Sequence, residues 1–252
     1  MLTKAATERE TDANFVNAAI DTHGEIIQQG IEARLEAERK PDEPPVPDTR
    51  QFVVLGGRRM MRLLAVLLAA DMAHEQELLD DPGPRKRRDD AAGRLYRGAV
   101  DLRQGAAWIY GSEAEAALGF SGATPEDPRV LVRQCKLALE QFDGAFADRP
   151  ARAGFTWEVA AQKASLAALV AETEAALRDV EREVKEAEAT LQAKYAAMDA
   201  FDAAFTEVAS LISALLRLAG ETALAERVRP SKKQRGRLMT DEERLTEGTP
   251  PV

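Results

Sequence analysis

Between Gly154 and Gly220 the chain runs for 65 residues without a glycine or a proline. No other feature restricts the fold as much. Written in heptads, one set of positions is Val170, Leu177, Val184, Leu191, Met198, Phe205, Ile212 and Ala219. Its companion is Leu166, Thr173, Val180, Ala187, Lys194, Phe201, Val208 and Leu215. Both step by seven without a slip, which is the pattern of a helix that winds against a neighbour. Thr173, Ala187 and Lys194 are the weak members.

Length then limits the options. About 63 helical residues extend on the order of 95 Å, whereas a compact globule of this size is roughly 45 Å across. The segment either continues as one helix or turns back near "LQAKYAAMDAF", Leu191 to Phe201. Only Asp199 supplies turn chemistry there, which favours continuity. Beside the seam stand Glu174, Glu181, Glu183 and Glu188, but further on Ala204, Ala209, Leu211, Leu216 and Leu218. A narrow stripe with charged flanks suits a two-helix contact, and a broad one suits burial in a bundle. Residues 200–219 are therefore expected to pack on earlier helices. Residues 158–192 should pair with one more helix of this chain or with a second copy, making Val170, Leu177, Val180, Val184 and Leu191 the candidate partner-binding residues.

The rest of the chain also reads as helix. Apolar residues from Phe15 to Leu35 recur at helical spacing within residues 8–39, with Thr7 and Glu10 as a capping box. Four prolines in "KPDEPPVPD" make a non-helical connection. Residues 51–55, "QFVVL", read as either a short extended entry or a first helical turn, Gly56-Gly57 is compatible with a break, and a strongly apolar helix follows to about Leu79. A third is expected from Asp89 to Tyr110, because starting it earlier would put Arg85 to Arg88 on the positive end of the helix dipole. Ser112 and Glu115 suggest a short helix stopped by Gly119. Thr124 and Pro125 open the next, to about Ala147, with Leu131, Cys135, Ala138, Phe142 and Phe146 inward. Glu221 to Val228 is the last short helix. The expectation is an all-α protein with a bundle over residues 8–148, a long helix or hairpin of coiled-coil character over 155–228, and a disordered tail over 229–252.

Composition narrows the function classes. A formal charge of −9 disfavours general attraction to nucleic acid or anionic membranes. The longest apolar run, Leu63 to Ala70, is far below the roughly 20 residues that span a bilayer, so it is read as a buried helix and no membrane association is expected. A single cysteine, Cys135, excludes an intrachain disulfide, and "MLTKAATERETDANF" lacks the apolar core of a signal peptide, which suits a cytoplasmic protein.

Candidate sites are sparse. His74 has Asp71, Glu75 and Glu77 near it, but His23 lacks the acid three positions earlier that a paired metal motif needs, so no metal, cofactor or catalytic group is expected. "VLGGRRMM" could hold an anion at a helix start through Arg58 and Arg59. "DDPGPRKRRDD" balances four cations with four acids and reads as a charged loop and helix start. "RPSKKQRGR" carries Lys232, Lys233, Arg235 and Arg237 without an acid or an aromatic, the composition of a solvated tail or a peptide for an acidic partner, with nucleic acid as the lesser alternative. The reading that best fits is a non-enzymatic structural or protein-interaction protein, binding itself or another helical protein through the seam of residues 158–219; the alternatives are a nucleic-acid-associated protein using residues 227–237 and a small anion- or metal-binding bundle centred on Gly56 to Arg59 or on Asp71 and His74.

Overall fold

A computed structural model describes residues 1–80, 82–120, 122–144, 146, 149–152, 154 and 156–247, with side chains as far as Arg244. The protein is all-α. Its helices are α1 (Lys4–Glu38), α2 (Thr49–Asp80), α3 (Pro82–Tyr110), α4 (Ala114–Ala117), α5 (Pro128–Asp143), α6 (Val159–Leu218), α7 (Thr222–Arg227) and α8 (Asp241–Glu247). None of the described helices is long and apolar enough to cross a membrane.

Sixty residues of the glycine- and proline-free segment, Val159 to Leu218, form one helix. α6 passes through Leu191 to Phe201 without a turn and stops where Gly220 takes φ +94°, a conformation that a residue with a Cβ rarely adopts. The chain divides into two compact units, residues 1–76 with 188–252 and residues 77–187. α6 contributes a different half to each.

The first unit packs α1, α2 and the C-terminal half of α6 around Val16, Ile20, Ile27, Ile31, Met60, Leu64, Leu67, Phe201, Phe205 and Ile212. Each large apolar side chain buried there contributes about 1.5–3 kcal/mol. Two glycines permit close approach. A Cβ on Gly57 would lie 2.7 Å from Ile20 Cδ1, and one on Gly30 would lie 2.8 Å from the Ala219 carbonyl oxygen. The Gly56-Gly57 pair is thus a packing device. α2 continues through it, so residues 51–55 take the helical alternative, no break forms, and no helix start lies at Arg58 and Arg59.

The second unit packs α3, α5 and the N-terminal half of α6 around Leu95, Leu102, Leu131, Cys135, Phe142, Leu166 and Val170. Charged pairs flank these contacts: Arg94 with Glu172 (2.6 Å), Arg129 with Glu181 (2.9 Å) and Lys136 with Glu174. The acidic flank of the seam therefore meets basic residues of this chain.

Several helix starts differ from expectation for local reasons. α1 begins at Lys4, because the Thr3 hydroxyl accepts from the Ala6 N–H. α3 begins at Pro82, seven residues early. Prolines in a first turn give up only N–H groups that have no helical partner there, which outweighs the unfavourable cations that follow. α5 begins at Pro128, where Asp127 accepts from the N–H groups of Arg129 and Val130. Thr124, the expected cap, instead accepts from Arg103 at 2.9 Å. α5 ends at Asp143, and Ala147 lies outside the described residues. α4 forms, but Ser112 does not cap it; Glu115 pairs with Arg103 at 2.8 Å.

Residues 229–244 are not a solvated tail. Ser231 N–H donates to the Arg237 carbonyl (2.8 Å) and Met239 N–H to that of Arg229 (2.9 Å), closing a small hairpin with Gly236 at φ +69°. Arg237 Nε donates to Asp12 Oδ2 at 2.7 Å and its Nη1 to Glu8. Thr240 and Glu243 form a reciprocal capping box for α8, and Glu243 also accepts from the buried Ser231 hydroxyl at 2.6 Å. The acids that satisfy Arg237 lie more than 200 positions earlier, whereas Arg229 pairs with nearby Glu226. Residues 248–252 lie outside the described residues.

Candidate functional site: an uncharged exposed face on helix α2

Most of the seam is consumed by the chain itself. Val170 is buried in the core of the second unit, and Leu177 packs against that core. Leu177 and Val180, both half-buried, also floor a groove of about 780 Å³ walled by Arg88, Tyr96, Arg97 and Arg129. Leu191 is half-buried, and only Val184, at 51%, is well exposed. The weak heptad members carry polar contacts. The Thr173 hydroxyl, with no exposure, donates to the Leu169 carbonyl at 2.8 Å, and Lys194 reaches Asp71.

The remaining candidates are spoken for as well. Asp71 is fully buried and accepts from Lys194 Nζ (2.8 Å), the Thr3 N–H (2.7 Å) and the Thr3 hydroxyl (2.8 Å). Burial pushes the Asp71 carboxyl up, but Lys194 and Thr3 outweigh it and hold its pKa below the usual value. His74 Nδ1 lies 3.0 Å from the Thr190 hydroxyl. Arg58 is exposed, and Arg59 pairs with Glu207 at 3.0 Å. Both sit inside α2, where backbone N–H groups are committed to helical hydrogen bonds, so the anion cradle does not form. Cys135 is buried, and burial pushes its thiol up to about 12.

What composition hides is the outer face of α2. Its inner face is Val53, Gly57, Met60, Leu64, Leu67, Asp71 and His74. A helix with one such buried stripe ordinarily turns charge to the opposite side. α2 does so only as far as Arg62. From Leu63 to Ala73 its exposed residues are Ala65, Val66, Ala69, Met72 and Ala73, and none is charged or polar. Val66 is 55% exposed and Met72 58%. The apolar run read as a wholly buried helix is therefore buried on one side only. In a chain with 31% charged residues, this is an uncommon stretch of surface.

Its shape and charge are specific too. Ala65, Ala69 and Ala73 form a row at i, i+4 and i+8, low beside Val66 and Met72, along which a second helix can approach towards the short end of the roughly 8–10 Å interaxial range. Before this row α2 carries Arg50, Arg58, Arg59 and Arg62 and no acid. From Leu63 onward the acids it does not bury are Glu75, Glu77 and Asp80, Asp71 lying buried against Lys194. The helix is basic at one end, acidic at the other and apolar between.

Comparison with known proteins adds no identity: no protein-family model, no curated protein and no solved structure matches this chain.

Proposed function

We propose that this protein is a non-enzymatic helical assembly protein that pairs with a second copy of itself through the outer face of α2. The carrying observation is the exposed, uncharged face from Ala65 to Ala73. The segregation of charge along α2 supports a second copy as the occupant. Laid antiparallel, two such helices set the arginine-bearing end of each beside the acid-bearing end of the other. A two-fold axis that matches Arg62 with the turn at Glu75 and Gln76 passes close to Ala69, midway between them, and brings Val66 against Met72 of the partner copy.

The seam of α6 supports assembly less. Among its proposed contact residues only Val184 is well exposed, so the seam offers no continuous apolar stripe to a partner. Sedimentation equilibrium separates the surfaces. Wild-type protein is expected to approach twice its 27.5 kDa mass as concentration rises. Ala69→Glu should stay at the monomer mass with an unchanged helical spectrum, and Val184→Glu should behave as wild type. A wild type that remains monomeric at high concentration, or an Ala69→Glu variant that still pairs, would overturn the reading.

A further inference from the structure

A groove in the first unit lies between the C-terminal half of α6 and the hairpin of residues 229–239. It encloses about 620 Å³, and Arg217, Arg229, Lys232 and Arg235 line it. Arg217 comes from α6 and the other three from the basic stretch, so the fold brings together cations that the sequence keeps at least a dozen positions apart.

Acids nearby are largely committed elsewhere. Asp202, at one wall, receives Arg9 through Nε at 2.7 Å and Nη2 at 2.8 Å, and Glu207 receives Arg59 at 3.0 Å. Glu226 accepts from both Arg217 and Arg229 and holds the two guanidinium groups side by side. Burial pushes the Glu226 carboxyl up, but these two arginines outweigh it and keep it ionised below its usual range. Four cations line the groove against two acids, Asp202 and Glu207, on a chain that is negative as a whole. Ser210, exposed in the same wall, adds a hydroxyl with no protein partner among the described residues.

We infer that this groove binds a small ligand bearing two or more phosphate groups. Guanidinium groups match phosphate oxygens with paired hydrogen bonds, and four cations suit more charge than one carboxylate carries. The volume falls within the range of small-molecule sites. No aromatic ring lines the groove, so there is no platform on which a nucleic-acid base would stack. The ligand is therefore held by its phosphates.

Isothermal titration with inorganic tripolyphosphate tests this on the full chain. One saturable site is expected, weakened about tenfold by Arg217→Ala and by Arg235→Ala. Lys233→Ala should bind as wild type, since Lys233 is exposed but outside the groove. Circular dichroism on each variant checks the fold. A nucleoside triphosphate in a second arm should bind with the affinity of tripolyphosphate. Absence of binding, or binding indifferent to Arg217 and Arg235, would overturn the inference. So would a single-stranded oligonucleotide that binds more tightly than tripolyphosphate, with a salt dependence of many phosphate contacts.

Discussion

Lys194 Nζ lies 2.8 Å from Oδ1 of Asp71, and Asp71 has no exposure to solvent. The pair joins α6 to α2 at the one heptad position where a lysine interrupts the apolar seam, and Thr3 completes it from the start of α1. Three helices are fastened by one carboxylate. Removing Lys194 leaves that charge buried with only Thr3 beside it, so Lys194→Ala should destabilise the protein by about 3 kcal/mol in urea denaturation. Replacing both residues by apolar ones, Asp71→Leu with Lys194→Met, should recover much of the loss.

The same pair sets an acid limit. Because the folded-state pKa of Asp71 is lowered from 3.8, its contribution is fully present above that value and is lost as pH falls through the folded pKa. Thermal melts from pH 5 down to pH 2 should show a fall in midpoint that is smaller in Asp71→Asn, which starts lower. Parallel curves for the two proteins would contradict this.

Gly30→Ala is expected to destabilise, although alanine favours helix by about 1 kcal/mol over glycine. The new Cβ would meet the backbone of Ala219, which cannot step aside as a side-chain end can. Overpacking of this kind costs about 1–3 kcal/mol. A lower urea midpoint at unchanged m-value checks the sign.

Arg237→Ala separates a docked hairpin from a solvated tail. With its contacts to Asp12 and Glu8 gone, the urea midpoint should fall by an amount equivalent to about 1–2 kcal/mol. Lys233→Ala, at an exposed side chain, should leave it in place.

These cases show what could be read in the sequence and what could not. The 3.5-residue register and the absence of glycine and proline identify α6, because both act locally along one helix. The start of α5 is misplaced by three residues because "TPEDP" holds two cap-and-proline pairs, and the Asp127 pair is the one used. The hairpin was hidden because Asp12 and Arg237 meet only in the fold, yet Thr240-Asp241-Glu242-Glu243 is a capping box legible in the sequence. The α2 face is a subtler case. "LLAVLLAA" reads as buried because hydropathy records how apolar a segment is and not which side its neighbours cover. The groove at Arg217 needs two distant segments, and no local pattern announces it.

Cys135 should be inert while the protein is folded. Its thiol is pushed to about 12 and has no solvent contact, so a disulfide-exchange reagent at pH 8 should label it only at the rate of unfolding. Labelling that is complete within seconds in native buffer would contradict its burial.

That inertness permits the most direct test of assembly. A cysteine placed at Ala69 would sit beside its own copy if α2 pairs antiparallel across the expected axis, while Cys135 stays silent. Under mild oxidation Ala69→Cys is expected to form a disulfide-linked dimer rapidly and at micromolar protein concentration, whereas Val184→Cys should remain largely monomeric. If Ala69→Cys cross-links no faster than Val184→Cys, the outer face of α2 is not the surface through which this protein assembles.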